Sequence, residues 1–156
     1  MGRTRVRTRS RTSTDTAVTF VNNELMRAFI TIGNAAGADT SFIRENRKAL
    51  TTIFDLGLEY QLIEEVKVEF TTSLGRVLET WVFEVSYDGS EPLVEIPVNK
   101  VCNEVSNLEE DSLFDIHVIV KPIVEGVPIF TANDDPIETI ASFGGGGIDV
   151  NIGRKR

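Results

Sequence analysis

The stretch that decides the fold is Tyr60–Tyr87, YQLIEEVKVEFTTSLGRVLETWVFEVSY. In its first half Val66, Val68 and Phe70 share one face of an extended chain, and Glu65, Lys67 and Glu69 share the other. In its second half Val77, Trp81, Phe83, Val85 and Tyr87 share a face, with Glu79 as the one polar intruder. Period-two alternation of this kind predicts half-buried antiparallel strands. The connection Thr71–Arg76 is short, polar and contains Gly75, which predicts a hairpin. A hairpin with one apolar face needs helices to cover it, so the expectation is a small α+β domain.

The flanking sequence supplies those helices. From Asp15 to Ala36, Val18, Val21, Leu25, Phe29, Ile32 and Ala36 recur at three- and four-residue steps and form one apolar stripe. Ser13, Thr14 and Asp15 are fit to cap its start and Gly37 to stop it. Asn22, Asn23, Glu24 and Arg27 fall on or near the wet side. A second helix is predicted from Asp39 to about Leu56, with Phe42, Ala49, Leu50, Ile53 and Phe54 as its stripe and Gly57 as its end. After the hairpin, Asp88-Gly89-Ser90-Glu91-Pro92 is a loop. Pro97 suits the first turn of a third helix that carries Val98, Val101, Cys102, Val105 and Leu108. Leu113–Lys121 is a third strand, apolar on Phe114, Ile116, Val118 and Val120, and Pro122 ends it. The expected architecture is a three-stranded antiparallel core sheet packed against about three helices.

From Ile123 the pattern changes. Gly126, Pro128, Pro136, Asn133-Asp134-Asp135 and Gly144–Gly147 break every period, yet Ile148, Val150 and Ile152 keep a strand-like alternation. The expectation is a segment able to lie on the body in more than one way, hinged at Gly126 and at Gly144, Gly145, Gly146 and Gly147. The organisation expected is therefore a basic arm at 1–14, a core at 15–122 and a C-terminal segment at 123–156.

Charge is divided along the chain. Arg3, Arg5, Arg7, Arg9 and Arg11 open it and Arg154, Lys155 and Arg156 close it, while residues 12–153 carry 8 basic against 24 acidic groups, or −16. Such a body repels nucleic acid, and the basic ends attract it or fold back. Residues 1–14 are open to several readings: a disordered tail, an edge strand on the acidic body, a phosphate-tracking arm, or a peptide donated as a strand to another protein. No apolar run approaches the roughly 18 residues that span a bilayer. One cysteine, Cys102, excludes a disulfide framework and points to a reducing, cytoplasmic setting.

Catalytic signatures are absent. One histidine, His117, and one cysteine cannot supply a nitrogen–sulfur zinc site. Gly144–Gly147 lacks the lysine and hydroxyl of a phosphate loop. Asn133-Asp134-Asp135 with Glu138 lacks the ligand spacing of a calcium loop. No metal and no cofactor are expected, and a binding protein is favoured over an enzyme.

The order of elements resembles the HORMA domain, and more closely the small bacterial HORMA proteins of anti-phage CBASS signalling. The residues that carry the likeness are Thr16-Ala17-Val18-Thr19-Phe20-Val21 leading to Leu25, then Gly37-x-Asp39-x-x-Phe42, then Ala49-Leu50-Thr51-Thr52-Ile53-Phe54 before Gly57. After these come Val66-x-Val68-Glu69 and Leu78-x-x-Trp81-x-x-x-Val85-x-Tyr87. The likeness covers residues 12–90 in letters and the remainder in layout. The Arg repeat and the Gly-rich end depart from it. It implies a peptide-binding conformational switch, whose mobile C-terminal "safety belt" closes on a partner's closure peptide. The partners it implies are a cyclic-oligonucleotide synthase (CD-NTase), which the closed form activates, and a Trip13-like AAA+ remodelling ATPase. It places peptide contacts on the edge Asp115, Ile116, His117, Val118, Ile119, Val120 and Lys121, with Ile148, Val150 and Ile152 as a docking strand. Capture of the Arg/Thr arm by a neighbouring copy is a further expectation. The alternative function is a nucleic-acid-associated or self-assembling adaptor that uses that arm.

Overall fold

The computed structural model describes residues 2–89, 91–108, 112–121 and 138–155, with side chains from Asp15 onward. The first element is a long helix, α1 (Gly2–Ala36). The sequence predicts a start at Asp15; the backbone is already helical at Gly2. No glycine or proline interrupts residues 3–32, so a helix anchored by its packed half propagates backward at little cost per residue. The predicted stripe is buried: Val21, Leu25, Phe29, Ile32 and Ala36 have no exposed surface. Gly37, at φ +82°, ends α1, with Ala38 N–H donating to Gly33 O at 2.9 Å.

Asn22 and Glu24 were expected on the wet side, but both are buried. Asn22 Nδ2 donates to Thr51 O at 2.9 Å and to Asp55 Oδ1 at 2.7 Å. Glu24 Oε2 accepts the Ile96 N–H at 2.8 Å. These polar groups clasp α1 to its neighbours, a tertiary demand that helical periodicity does not carry.

The predicted second helix is two, α2 (Ser41–Glu45) and α3 (Arg47–Glu59). The break falls at Asn46, whose side-chain Nδ2 donates to Phe42 O at 2.8 Å beside its own backbone N–H, a local side-chain bond that competes with the helical ladder. Ahead of α2, Ser41 N–H donates to Asp39 Oδ1 at 2.9 Å, and this bond holds the Asp39 carboxyl below its usual range. Gly57 does not end α3. It lies inside the helix, and a Cβ there would collide with Ile63. The end comes at Gln61, at φ +56°, where Leu62 N–H donates to Gly57 O and Gln61 N–H to Leu58 O.

The hairpin forms as read: β1 (Ile63–Thr71) and β2 (Val77–Ser86) pair antiparallel, with Val66 opposite Phe83 and Val68 opposite Trp81. α4 (Val98–Glu104) is shorter than its stripe predicts. Val105 turns extended, and Leu108 N–H instead caps Ala36 O of α1 at 3.0 Å. β3 (Leu113–Val120) follows, then β4 (Glu138–Gly145) and β5 (Ile148–Lys155). Among the described residues the sheet therefore has five strands rather than three, in the order β3-β1-β2-β5-β4. The two added strands come from the C-terminal segment.

One face of this sheet is the core. Its cross-strand rows read Val118–Val66–Phe83–Ile152–Ala141 and Ile116–Val68–Trp81–Arg154–Glu138. α1 and α3 cover it, and Phe29 joins the layers, 5.7 Å from Phe54 and 5.4 Å from Phe83 between ring centroids. Arg154 and Glu79 lie in that apolar layer, 5% and 3% exposed. Arg154 Nε is 3.6 Å from Glu79 Oε1, and Nη2 is 3.2 Å from Glu138 Oε2. Nη1 donates to Glu104 O, and the guanidinium stacks over Trp81 at 5.6 Å. The polar intruder of the predicted strand is thus the counter-ion of a residue 75 positions away. Gly126 and the other residues expected in the first part of the C-terminal segment lie outside the described residues.

Candidate functional site

β3 is an edge strand. It pairs with β1 on one side, and among the described residues no strand lies on the other. In an antiparallel ladder the N–H and C=O of one residue point to the same side, and the side alternates along the strand. Lys121 N–H donates to Leu62 O at 2.7 Å, which assigns the odd-numbered residues of β3 to β1. The far edge agrees. Gly144 of β4 points outward, exchanging hydrogen bonds with Val94 at 2.9 and 2.7 Å, and the alternation carried back through β5, β2 and β1 gives the same parity. Phe114, Ile116, Val118 and Val120 therefore present their backbone groups to the open rim, at intervals of about 7 Å.

Side chains give this rim two different walls. Toward the helices it is apolar: Phe114 is 6% exposed and packs on Phe42 and Phe70 at 5.0 and 5.6 Å, and Ile116 and Val118 are half-buried. Toward the outer face it is charged. Asp115 is exposed, His117 Nε2 is 3.4 Å from Glu69 Oε2, and Lys67 Nζ is 3.6 Å from Glu65 Oε1. Ile119 is half-buried and Lys121 exposed, with the Lys121 ammonium 5.2 Å from the centre of the Tyr87 ring. Tyr87 O–H donates to Ile63 O at 2.7 Å, and burial pushes its phenol up to about 12. Among the described residues no three His, Cys, Asp or Glu side chains are grouped for a metal, and no helix is long and apolar enough to cross a membrane. What the arrangement can do chemically is accept an extended peptide as a further strand.

Of the residues expected at the site, Asp115–Lys121 lie together on this edge. Ile148, Val150 and Ile152 do not join them. They sit on β5, across β1 and β2, and are 4%, 0% and 0% exposed in the core. β5 docks on β2, with Ile152 opposite Phe83 and Val150 opposite Val85. Gly144–Gly147 form the β4–β5 turn, all four at positive φ. A Cβ on Gly144 would collide with Ile148 O and one on Gly145 with Pro92 O. Gly146 N–H donates to Glu91 O at 2.8 Å, so the run is a turn fastened to the Glu91–Val94 loop.

The geometry has the form of a HORMA-like fold, a mixed α+β domain with a five-stranded antiparallel sheet and about four helices. Its structural neighbours are HORMA-domain proteins. A chain of the mitotic checkpoint complex superposes with a TM-score of 0.62 at 16% identity, covering 88% of this chain and 96% of that one. The E. coli MS115-1 HORMA:CdnC:Trip13 complex contains a chain that superposes at 0.60 with 8% identity, covering 92% and 89%. C. elegans HTP-1 bound to HTP-3 motif-1 superposes at 0.59 with 13% identity, covering 88% of each chain. No family model and no curated protein matches the sequence.

Proposed function

We propose that this chain is a peptide-capturing adaptor, not an enzyme, in which a partner's extended peptide adds to the outer rim of β3. The observation that supports this is the disposition of the two edges. The C-terminal hairpin is docked on β2, and among the described residues the opposite rim keeps four residues' worth of backbone donors and acceptors. Residues 15–122 act as the platform and 123–156 as the belt that closes on the guest. The guest alternates. Its side chains toward the helices are apolar, to meet Ile116 and Val118, and those on the outer face are polar or basic, to meet Asp115 and Glu69.

In this proposal the captured peptide belongs to a protein of a bacterial anti-phage signalling complex in the cytoplasm. The closed form activates a cyclic-oligonucleotide synthase, and an AAA+ ATPase reopens it. The likeness to a chain of the HORMA:CdnC:Trip13 complex supports that setting.

Truncating 123–156 is a poor test, because it would remove Val150 and Ile152 from the core. Val118→Pro is a sharper one: it deletes an outward N–H and leaves the β1 ladder its donors. Peptides selected from a random library on the wild-type protein bind Val118→Pro more weakly, by up to about tenfold, the worth of one good backbone hydrogen bond. Fluorescence polarisation measures this, with circular dichroism as the folding control. Equal affinity for the two proteins overturns the rim assignment.

A further inference from the structure

The sequence places Ala49 and Ile53 on the core stripe of the second helix, and the structure leaves both in solvent. α3 buries Phe54, Gly57 and Leu58 instead. On a neighbouring face, about 120° round the helix, stand Ala49, Ile53 and Leu56, with Tyr60 just past the last turn, at steps of four, three and four residues. Ile53, Leu56 and Tyr60 are 53%, 51% and 65% exposed. A helix that already has its core face does not need a second apolar stripe, and 4-3-4 spacing is that of a coiled-coil seam.

We propose that α3 is a self-association helix, pairing antiparallel with α3 of a second copy of this chain. Two features select that occupant and that direction. The stripe is symmetric about its midpoint. Antiparallel pairing sets Ile53 against Leu56, and small Ala49 against large Tyr60, twice over. The charges agree. Lys48 and Glu59 are both exposed on one flank of the stripe, near its opposite ends. Antiparallel pairing sets the same flank of both helices together and brings each Lys48 to the partner's Glu59, while parallel pairing sets that flank against the other one and leaves Lys48 and Glu59 unmatched. The chain's own arm is not the complement, since Val6 is the only large apolar residue in 2–14. Contact over three helical turns falls below the roughly 1,200 Å² buried by stable complexes, so the dimer is weak and depends on concentration.

The inference is independent of peptide capture. Sedimentation equilibrium of the full chain, from about 10 to 500 μM, shows a weight-average mass rising toward that of two chains. Leu56→Asp, an exposed position, holds the mass at one chain throughout. Lys48→Glu and Glu59→Lys each weaken association, and the two together restore it. A mass of one chain over the whole range overturns the proposal, as does a dimer indifferent to Leu56→Asp. Failure of the charge swap to restore association overturns the antiparallel arrangement.

Discussion

Arg154 shows how much one side chain holds. It is a guanidinium within an apolar layer, tied to β2 through Glu79, to α4 through Glu104 and to β4 through Glu138. Removing one member of a buried ion pair leaves the other desolvated without its counter-charge, at a cost of about 3–5 kcal/mol. Arg154→Met is expected to lose that much in urea unfolding. Arg154→Met combined with Glu79→Met recovers most of the loss, because neither charge then remains in the layer. Tyr87 makes a second test at this scale. Its folded phenol titrates at about 12 against an ordinary 10.0, so the native state holds a proton that the unfolded state releases first. Its contribution is therefore complete below pH 10 and is lost as pH rises toward 12. Stability of the wild-type protein falls more steeply across that window than stability of Tyr87→Phe. Absorbance titration of Tyr60→Phe, which leaves Tyr87 as the only tyrosine, shows ionisation near about 12.

At the level of elements, the parity of β3 makes a direct prediction. His117 and Ile119 donate to β1, whereas Ile116, Val118 and Val120 donate outward. Amide exchange followed by NMR shows protection alternating residue by residue along the strand, and uniform protection would place another chain on the rim. How much of this was legible in the sequence varies with the range of the interactions. Period-two alternation located β1, β2 and β3, and three-to-four spacing located α1, because each pattern reports a single buried face. The register of β3 against β1, and so the identity of the open backbone groups, depends on long-range pairing that no local pattern encodes. Ala49 and Ile53 were misplaced for a related reason. α3 carries two apolar stripes, and spacing alone does not say which one meets the sheet. Gly57 and Gly144–Gly147 are ordinary stop or hinge signals in sequence. Here one is a close approach to Ile63 and the others a fastened turn, which only neighbours distant in the chain reveal.

For the whole molecule, the C-terminal strand is the largest departure from expectation. Ile148, Val150 and Ile152 read as a docking strand, and they dock between β2 and β4, with β1 and β2 separating them from β3. The seam they form joins Thr80 to Lys155 and Ser86 to Asp149, whereas both hairpins close through short local turns. Loop-closure entropy delays distant pairings relative to local ones, so the two hairpins assemble early and the β2–β5 seam zips late in folding. The final barrier on the refolding path of this chain is then the same barrier that any rearrangement of its C-terminal hairpin must cross.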